Sequence, residues 1–539
     1  MSNSNLGETC SSTKPPAQLL LYRITLELAS PLAIGSGASD DVFDAPCARD
    51  ANGLPTIPGT SLAGALRSLW VDQNGADSAK DWFGMITPGT DEGTRSRLLF
   101  TWAHLHDQTN QPVEGLMGAQ TIQNDAVLTK LVRLPHRDHV RLSHRGGAAD
   151  TAKFDRSFVP TGCRFTFDLR LFTSADKMVA DREAVFALLQ LCWTGQLWLG
   201  GAKASGYGRT KVVSVRELDL DLTKDAARKF MANMRSLKTQ MPRPQDGDGV
   251  QLKLIKKAVT KSGNQRVNFP LLDLHPRDTW RVGSGVESVA MQQNGQNSKN
   301  LANALPYTEA CLNWSEPKAN EPQSIPKWQN EIVVPGSTIR GALAHRTAFH
   351  FNRLQKRWTS NSAIASAPTA GTNPVPIYVV EVLFGSAKVR QPGANAAGNQ
   401  AGFAGAVFVD DIHILIAGAK VVRLPHVRID RFTGGAFRGA LFSEELLFHG
   451  DLPLQLSIDK TRLQTLAKAY GADMATMALK ALEEALRDLC EQRLPIGAGG
   501  AHGHGYCTAT WPSDAVPFLQ TLMACLPTPA LNAHEEVNA

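Results

Sequence analysis

Polar and apolar residues alternate along Arg23-Ile24-Thr25-Leu26-Glu27-Leu28. A period of two marks a half-buried β-strand. Phe165, Phe167, Leu169 and Leu171 predict a second strand of this kind, and Leu452, Leu454, Leu456 and Ile458 a third. Helical spacing lies between them. In Ile57-Pro58-Gly59-Thr60-Ser61-Leu62-Ala63-Gly64-Ala65-Leu66-Arg67 the Pro-Gly pair stops a loop, and Thr60 or Ser61 is placed to cap a helix. Leu62, Leu66, Leu69 and Trp70 then share one face. Another helix is predicted over residues 181–194. Strands interleaved with amphipathic helices predict an α+β fold.

The same order of signals comes twice. Val282-Gly283-Ser284-Gly285 matches Ile34-Gly35-Ser36-Gly37, and Val334-Pro335-Gly336-Ser337-Thr338-Ile339-Arg340-Gly341-Ala342-Leu343 matches the stretch from Ile57 to Leu66. Phe384-Gly385 matches Phe83-Gly84. Arg423-Leu424-Pro425-His426 repeats Arg133-Leu134-Pro135-His136 letter for letter, while His426-Val427-Arg428 also echoes His139-Val140-Arg141. Each copy ends in a glycine loop: Gly200-Gly201-Ala202-Lys203-Ala204-Ser205-Gly206-Tyr207-Gly208-Arg209, then Gly499-Gly500-Ala501-His502-Gly503-His504-Gly505-Tyr506. The repeat predicts two domains, residues 18–240 and 250–515, joined at a polar, Pro-containing stretch near 242–248. Residues 288–330 and 389–404 read as long insertions of the second domain.

Composition adds limits. The chain has 539 residues, 43% apolar and 20% charged, with a net charge of +6. Those values suit a globular protein, and the mild basicity is compatible with a nucleic-acid partner. The eight cysteines are scattered, with no C-x-x-C pair. They read as free thiols in a reducing, cytoplasmic compartment. The polar N-terminus lacks an apolar signal segment and no long apolar run follows, so no membrane association is expected.

Chemistry concentrates in four places. The Pro-Gly helix starts and the glycine loops can offer N–H groups to phosphate. Arg133, Arg141, Arg145, Lys153 and Arg156 form one basic stretch, and Arg423, Arg428, Arg431 and Arg438 its counterpart; guanidinium groups chelate phosphate and stack on bases. Tyr207, Tyr506 and Phe432 are aromatic candidates for base stacking. An acidic loop holds Asp40, Asp41, Asp44 and Asp50, suited to a divalent cation or to orienting a ribose hydroxyl. In the second copy Ala304-Leu305-Pro306 stands where Asp44 precedes Ala45-Pro46, with Glu287 and Asn303 the nearest polar substitutes. His136, His139, His426, His502 and His504 have no recognised zinc spacing; a histidine acid/base for RNA cleavage is an alternative.

The ordered set of G-S-G loop, acidic loop, I-P-G-T-S-L-x-G-A-L-R, F-G, H-V-R-I-D-R-x-T-G-G and terminal glycine loop resembles the RAMP superfamily of CRISPR-associated proteins. It is most similar to the type III effector backbone subunits of the Cas-seven group, here fused in tandem as in type III-D-like effectors. The resemblance implies two ferredoxin-like (RNA-recognition-type) domains, each with a hairpin thumb, at residues 141–158 and 428–447. It implies guide (crRNA) and target RNA as ligands and other CRISPR effector subunits as partners. Asp44 matches the family's cleaving aspartate, with Mg2+ as the expected divalent cation and Asp40 and Asp41 in support. In the second half Ala304 at the matching place puts cutting in doubt. RNA would be held by Arg67, Arg133, His139, Arg141, Arg156, Gly201, Lys203, Tyr207 and Arg209, and by Arg340, Arg423, Arg428, Arg431, Gly500, His502 and His504. The rivals are a non-cutting backbone subunit, a histidine-dependent guide-processing nuclease and a nucleotide-binding metabolic enzyme.

Overall fold

The computed structural model describes residues 17–37, 45–86, 89, 93–142, 148–234, 236–238, 244–245, 247–257, 266–283, 285–294, 302–315, 326–356, 383–385 and 404–527. The first half is a β-α-β-β-α-β unit. Its elements are strand Gln18–Leu28, helix Gly59–Asn74, strands Leu98–Phe100 and Arg164–Thr173, helix Met178–Trp193 and strand Thr210–Asp221. The first strand lies between the last and the third, with the second at one edge, and every pairing is antiparallel. That connectivity and order are the ferredoxin-like fold. Period two explains the two layers. Leu20, Tyr22, Ile24 and Leu26 point into the core under the two helices, while Leu19 and Leu21 join a smaller cluster with Leu218, Leu220 and Ala227.

The second half repeats the unit with a broken first strand. Arg266–Asn268 and Leu272–Pro276 pair with successive pieces of one neighbour, Leu456–Asp459 and Leu452–Leu454. Val407–Val409 lies on one side of this pair and Cys507–Thr508 on the other. Helices Gly336–Leu354 and Ala472–Cys490 cover the sheet. Each half also carries an antiparallel hairpin: His136–Leu142 with Ala148–Ser157, and Lys420–Ile429 with Ala436–Phe448.

Backbone hydrogen bonds fix the repeat more sharply than letters do. Gly208 N–H donates to Pro31 and Gly505 N–H to Thr279; Leu199 N–H donates to Gly208 and Ile496 N–H to Gly505; Gly201 N–H donates to Ala33 and Ala498 N–H to Arg281. Gly201 therefore matches Ala498, not Gly500, and the expected loop register is corrected by two residues. Tyr207 corresponds to His504. Likewise His139 faces and stacks on Phe154, and His426 faces and stacks on Phe442, with centroids 5.0 and 4.8 Å apart. The H-V-R match is the structural one, and the letter-for-letter R-L-P-H match is out of register.

Three boundary expectations also change. Val250–Ile255 pairs with Thr210–Asp221 and extends the first sheet, so the stretch near 242–248 connects two strands of one domain. The first described strand of the second half is Arg266–Asn268. The expected insertion at 288–330 shifts in its bounds: Thr308–Trp314 and Pro326–Val334 form a hairpin, running past residue 330, that grows from the place of the tight Arg49–Pro55 turn in the first half. Residues 386–403, including nearly all of the other expected insertion, lie outside the described residues. The Pro-Gly helices begin at Gly59 and Gly336 with Pro58 and Pro335 at the N-cap, so Thr60 and Ser61 sit inside the first turn and do not cap it.

The grown hairpin joins the halves. Leu312 packs into the first core, Trp314 Nε1 donates to the Gly162 carbonyl, and Trp328 Nε1 donates to that of Ala126. Deeper in, the Arg137 guanidinium, 3% exposed, chelates Glu309 and also bonds Asp411 Oδ2 at 2.8 Å. The Phe158 and Tyr207 rings flank it at 5.2 and 4.9 Å. Burial alone would favour losing the proton; Asp411 and Glu309 more than reverse this and hold the guanidinium charged. Removing one partner of such a buried cluster strands the others. Arg137→Leu is expected to cost about 3–5 kcal/mol. In urea this would appear as separation of the unfolding of the two halves; a variant that unfolds with the parent's midpoint and slope would refute the clasp.

Candidate nucleic-acid interface

The first glycine loop docks on the second half. Its 3-10 turn Lys203–Ser205 lies against Val407–Val409 and the helix Gly336–Leu354. Gly206, at φ +93°, leaves no room for a Cβ, which would lie 2.1 Å from Asp411 Oδ1. That same oxygen accepts the Gly336 N–H at 2.7 Å. The second Pro-Gly helix start therefore spends its first N–H on a carboxylate of its own chain. Arg209 pairs with Asp410 across the same junction.

Two depressions flank this contact. One, of about 400 Å³, is lined by Lys203, Arg340, Arg462, Phe384 and small residues, and among its described lining residues there is no carboxylate. Burial, then the charges of Arg266 and Arg462, push the Lys203 amine down to about 8. Burial pushes Arg340 down to about 10, and its buried Nε has no hydrogen-bond partner. Arg340 lies over the Phe384 ring at 5.6 Å. Arg462 is already paired with Asp459 at 3.6 Å; the crowded, partly desolvated Lys203 and Arg340 beside it favour an anionic ligand. Arg266 and Arg462 escaped the sequence reading because neither belongs to a repeated motif.

The other depression, of about 800 Å³, runs between the base of the first hairpin and the second half. Arg133, His136 and His139 line one wall; Gly283, Ser337, Thr338 and Trp328 line the other. His139 is half-buried. Burial, then Arg156 and Arg137, push it down to about 4, so at neutral pH it is an uncharged ring stacked on Phe154. Arg133 is exposed, and Arg156 lies half-buried over Phe154.

The remaining expected contacts divide by burial. Tyr207 is fully buried between Arg137 and Phe158, which closes it to base stacking. His504 is buried too, its Nδ1 2.7 Å from Thr279 Oγ1. Gly201 N–H is spent on the Ala33 carbonyl, and the Gly500 carbonyl accepts from Gly503 N–H and the Tyr506 hydroxyl. Arg67, Arg423, Arg428, Arg431 and His502 are exposed. On the second hairpin Arg428 covers Phe437, Arg431 covers Phe432, and the Phe432 ring is 90% exposed at the tip, free to stack. The Arg141 backbone belongs to the first hairpin; its side chain lies outside the described residues, as does Arg145.

Asp40, Asp41 and Asp44 also lie outside the described residues. The ends of their loop do not. Ser36 N–H donates to Pro46, Ala48 N–H to Ile34, and Ser157 N–H to Ala45, which anchors the loop beside the base of the first hairpin. Asp50 instead caps the next turn, accepting from the N–H groups of Asn52 and Leu54. In the second half Tyr307 N–H donates to Val282 and Glu445 N–H to Ala304. Ala304 is thus the counterpart of Ala45, and the residue standing in the place of Asp44 is Asn303. That corrects the expected match. Asn303 Oδ1 accepts from Ser443 N–H at 2.8 Å, on the second hairpin. A carboxamide stays uncharged where the first half has an acid.

A family model described as the RAMP superfamily matches residues 25–211 and 276–508, most of both halves. A protein of Mycobacterium tuberculosis (strain ATCC 25618 / H37Rv) named "CRISPR system Cms endoribonuclease Csm3" is 27% identical over 209 residues, 36% of this chain and 85% of that protein. Among the described residues no helix is long and apolar enough to cross a membrane.

The histidine wall gives a direct test. His139 should titrate near pH 4 by proton NMR, remaining neutral through the physiological range. Arg156→Gln removes one of the charges that depress it and should move the titration upward; an unperturbed His139 in the parent protein would contradict the packing described.

Proposed function

Because the chain belongs to the RAMP superfamily, we propose that it is a two-domain subunit of a type III CRISPR effector ribonucleoprotein. In this reading it holds guide RNA along both halves and cuts the paired target RNA through the first half alone. The observation that carries the reading is the cationic depression at the junction, where Lys203 and Arg340 converge beside Arg462, itself paired with Asp459. A backbone phosphate there would restore the protonation that burial withdraws from Lys203. The exposed arginines and Phe432 of the second hairpin suit a strand lying along it, by charge and by stacking.

Cutting is assigned to the acidic loop. Asp44, with Asp40 and Asp41 close in sequence, is an all-oxygen donor set suited to a hard divalent cation such as Mg2+. Such an ion would stabilise charge developing on a scissile phosphate. The chain's own part is to carry this loop on the base of the first hairpin, so that it faces a strand lying across that hairpin. The second half keeps the same backbone frame but carries Asn303, which supports a half that binds without cutting.

Asp44→Ala is expected to slow target cleavage by about 10²-fold or more, the scale of a lost catalytic group, while guide and target binding persist. Unslowed target cutting by Asp44→Ala would remove Asp44 from catalysis, and metal-independent cleavage of precursor RNA, lost in a His136 or His139 variant, would favour the histidine-dependent rival. Asn303→Asp is close to isosteric and keeps the acceptor for Ser443 N–H; it is expected to add a second cut, seen as a shorter product on a denaturing gel.

Guide affinity should also respond to alkali. A phosphate binds the protonated Lys203 amine and raises its pKa, so affinity is level below the free value of about 8 and falls as pH climbs above it. Lys203→Met should flatten that slope at lower overall affinity, measured at fixed salt. An unchanged slope would remove Lys203 from the interface.

A further inference from the structure

Cys311, Glu331 and His413 come from three neighbouring strands, Thr308–Trp314, Pro326–Val334 and Ile412–Leu415. Their ligand atoms all lie within 4.8 Å of one another. His413 Nδ1 is 3.1 Å from Glu331 Oε2 and 3.7 Å from Cys311 Sγ. Ligand atoms on a tetrahedral zinc stand about 3.3–3.6 Å apart, given zinc–sulfur and zinc–nitrogen bonds of roughly 2.3 and 2.0–2.1 Å. These two separations bracket that range.

The surroundings are acidic, and within them Glu331 pairs with His413. Glu331 stands directly opposite Glu309 in the strand pair, and like charges so placed repel. Asp411, two residues from His413, is fully buried. Arg137 answers Glu309 and Asp411. Glu331 faces Cys311 and His413, the other two members of the set. The Cys311 side chain is buried, while those of Glu331 and His413 are 14% and 23% exposed, which leaves an ion a route in.

We propose that Cys311, Glu331 and His413 bind one zinc-class divalent cation, with a fourth position open to water. A thiolate, an imidazole and a carboxylate together select zinc over magnesium or calcium. On binding, the ion takes the Cys311 sulfur and His413 Nδ1 in place of any proton each carries, and no electron is transferred. Because Glu309 lies on the same hairpin and Asp411 adjoins the third strand, the ion would lock the sheet that presents both carboxylates to Arg137. The site is separate from the acidic loop and needs no assumption about RNA.

The probe is Co2+ added to the full-length, metal-stripped protein. The expected result is a sulfur-to-cobalt charge-transfer band in the near ultraviolet that saturates at one ion per chain; RNA carried along gives no such band. Cys311→Ser should abolish the band. His413→Gln and the milder Glu331→Gln should weaken binding by at least the about 10–100-fold that even an outer-shell partner is worth. Zinc should displace the cobalt and raise the urea midpoint of the parent but not of the variants. Absence of a saturable band, or a band of undiminished affinity in Glu331→Gln and His413→Gln, would overturn the site.

Discussion

One buried guanidinium sits at the centre of the contacts that join the two halves of this chain. Arg137 leaves the first hairpin, passes between Phe158 and Tyr207, and meets Glu309 and Asp411 of the second half. Desolvating an arginine is costly, and only good geometry with several partners offsets it. Here both carboxylates are themselves fixed. Asp411 also accepts the first N–H of the helix Gly336–Leu354, and Glu309 also accepts the Tyr307 hydroxyl at 2.7 Å. The cluster therefore sets where the first glycine loop can sit. Both depressions at the junction follow from that placement.

The two halves share a backbone frame and differ in what they hang on it. Equivalent hydrogen bonds close the glycine loops, the G-S-G turns and the hairpin bases. On that frame Tyr207 is replaced by His504, Lys203 by Gly500 and Asp44 by Asn303. Side chains that only fill space or carry charge can change while the amide ladder stays, because the ladder is satisfied within the main chain. Functional divergence between copies is thus cheap in folding terms.

Much of the fold was legible in sequence because strands and helices leave periodic traces. The alternation at Arg23 to Leu28 and the Pro-Gly helix starts were read where they occur. Register was harder. Four matching letters, R-L-P-H, suggested an alignment that the strand pairing rejects, since pairing is decided by which residue faces Phe154 or Phe442. The join between halves was illegible for another reason. Arg137, Glu309 and Asp411 are far apart in the chain, and no local pattern marks residues that meet only after folding. Tyr207 looked like a stacking residue because composition cannot tell a buried ring from an open one.

Gly206 shows what a shared polypeptide imposes. Its missing side chain is what lets one half rest on Asp411 of the other, and both partners of that contact are inherited together in a single reading frame. Free subunits would sort by concentration and exchange. Here the half that carries Asp44 comes covalently joined to one that carries Asn303, so their one-to-one ratio is written into translation.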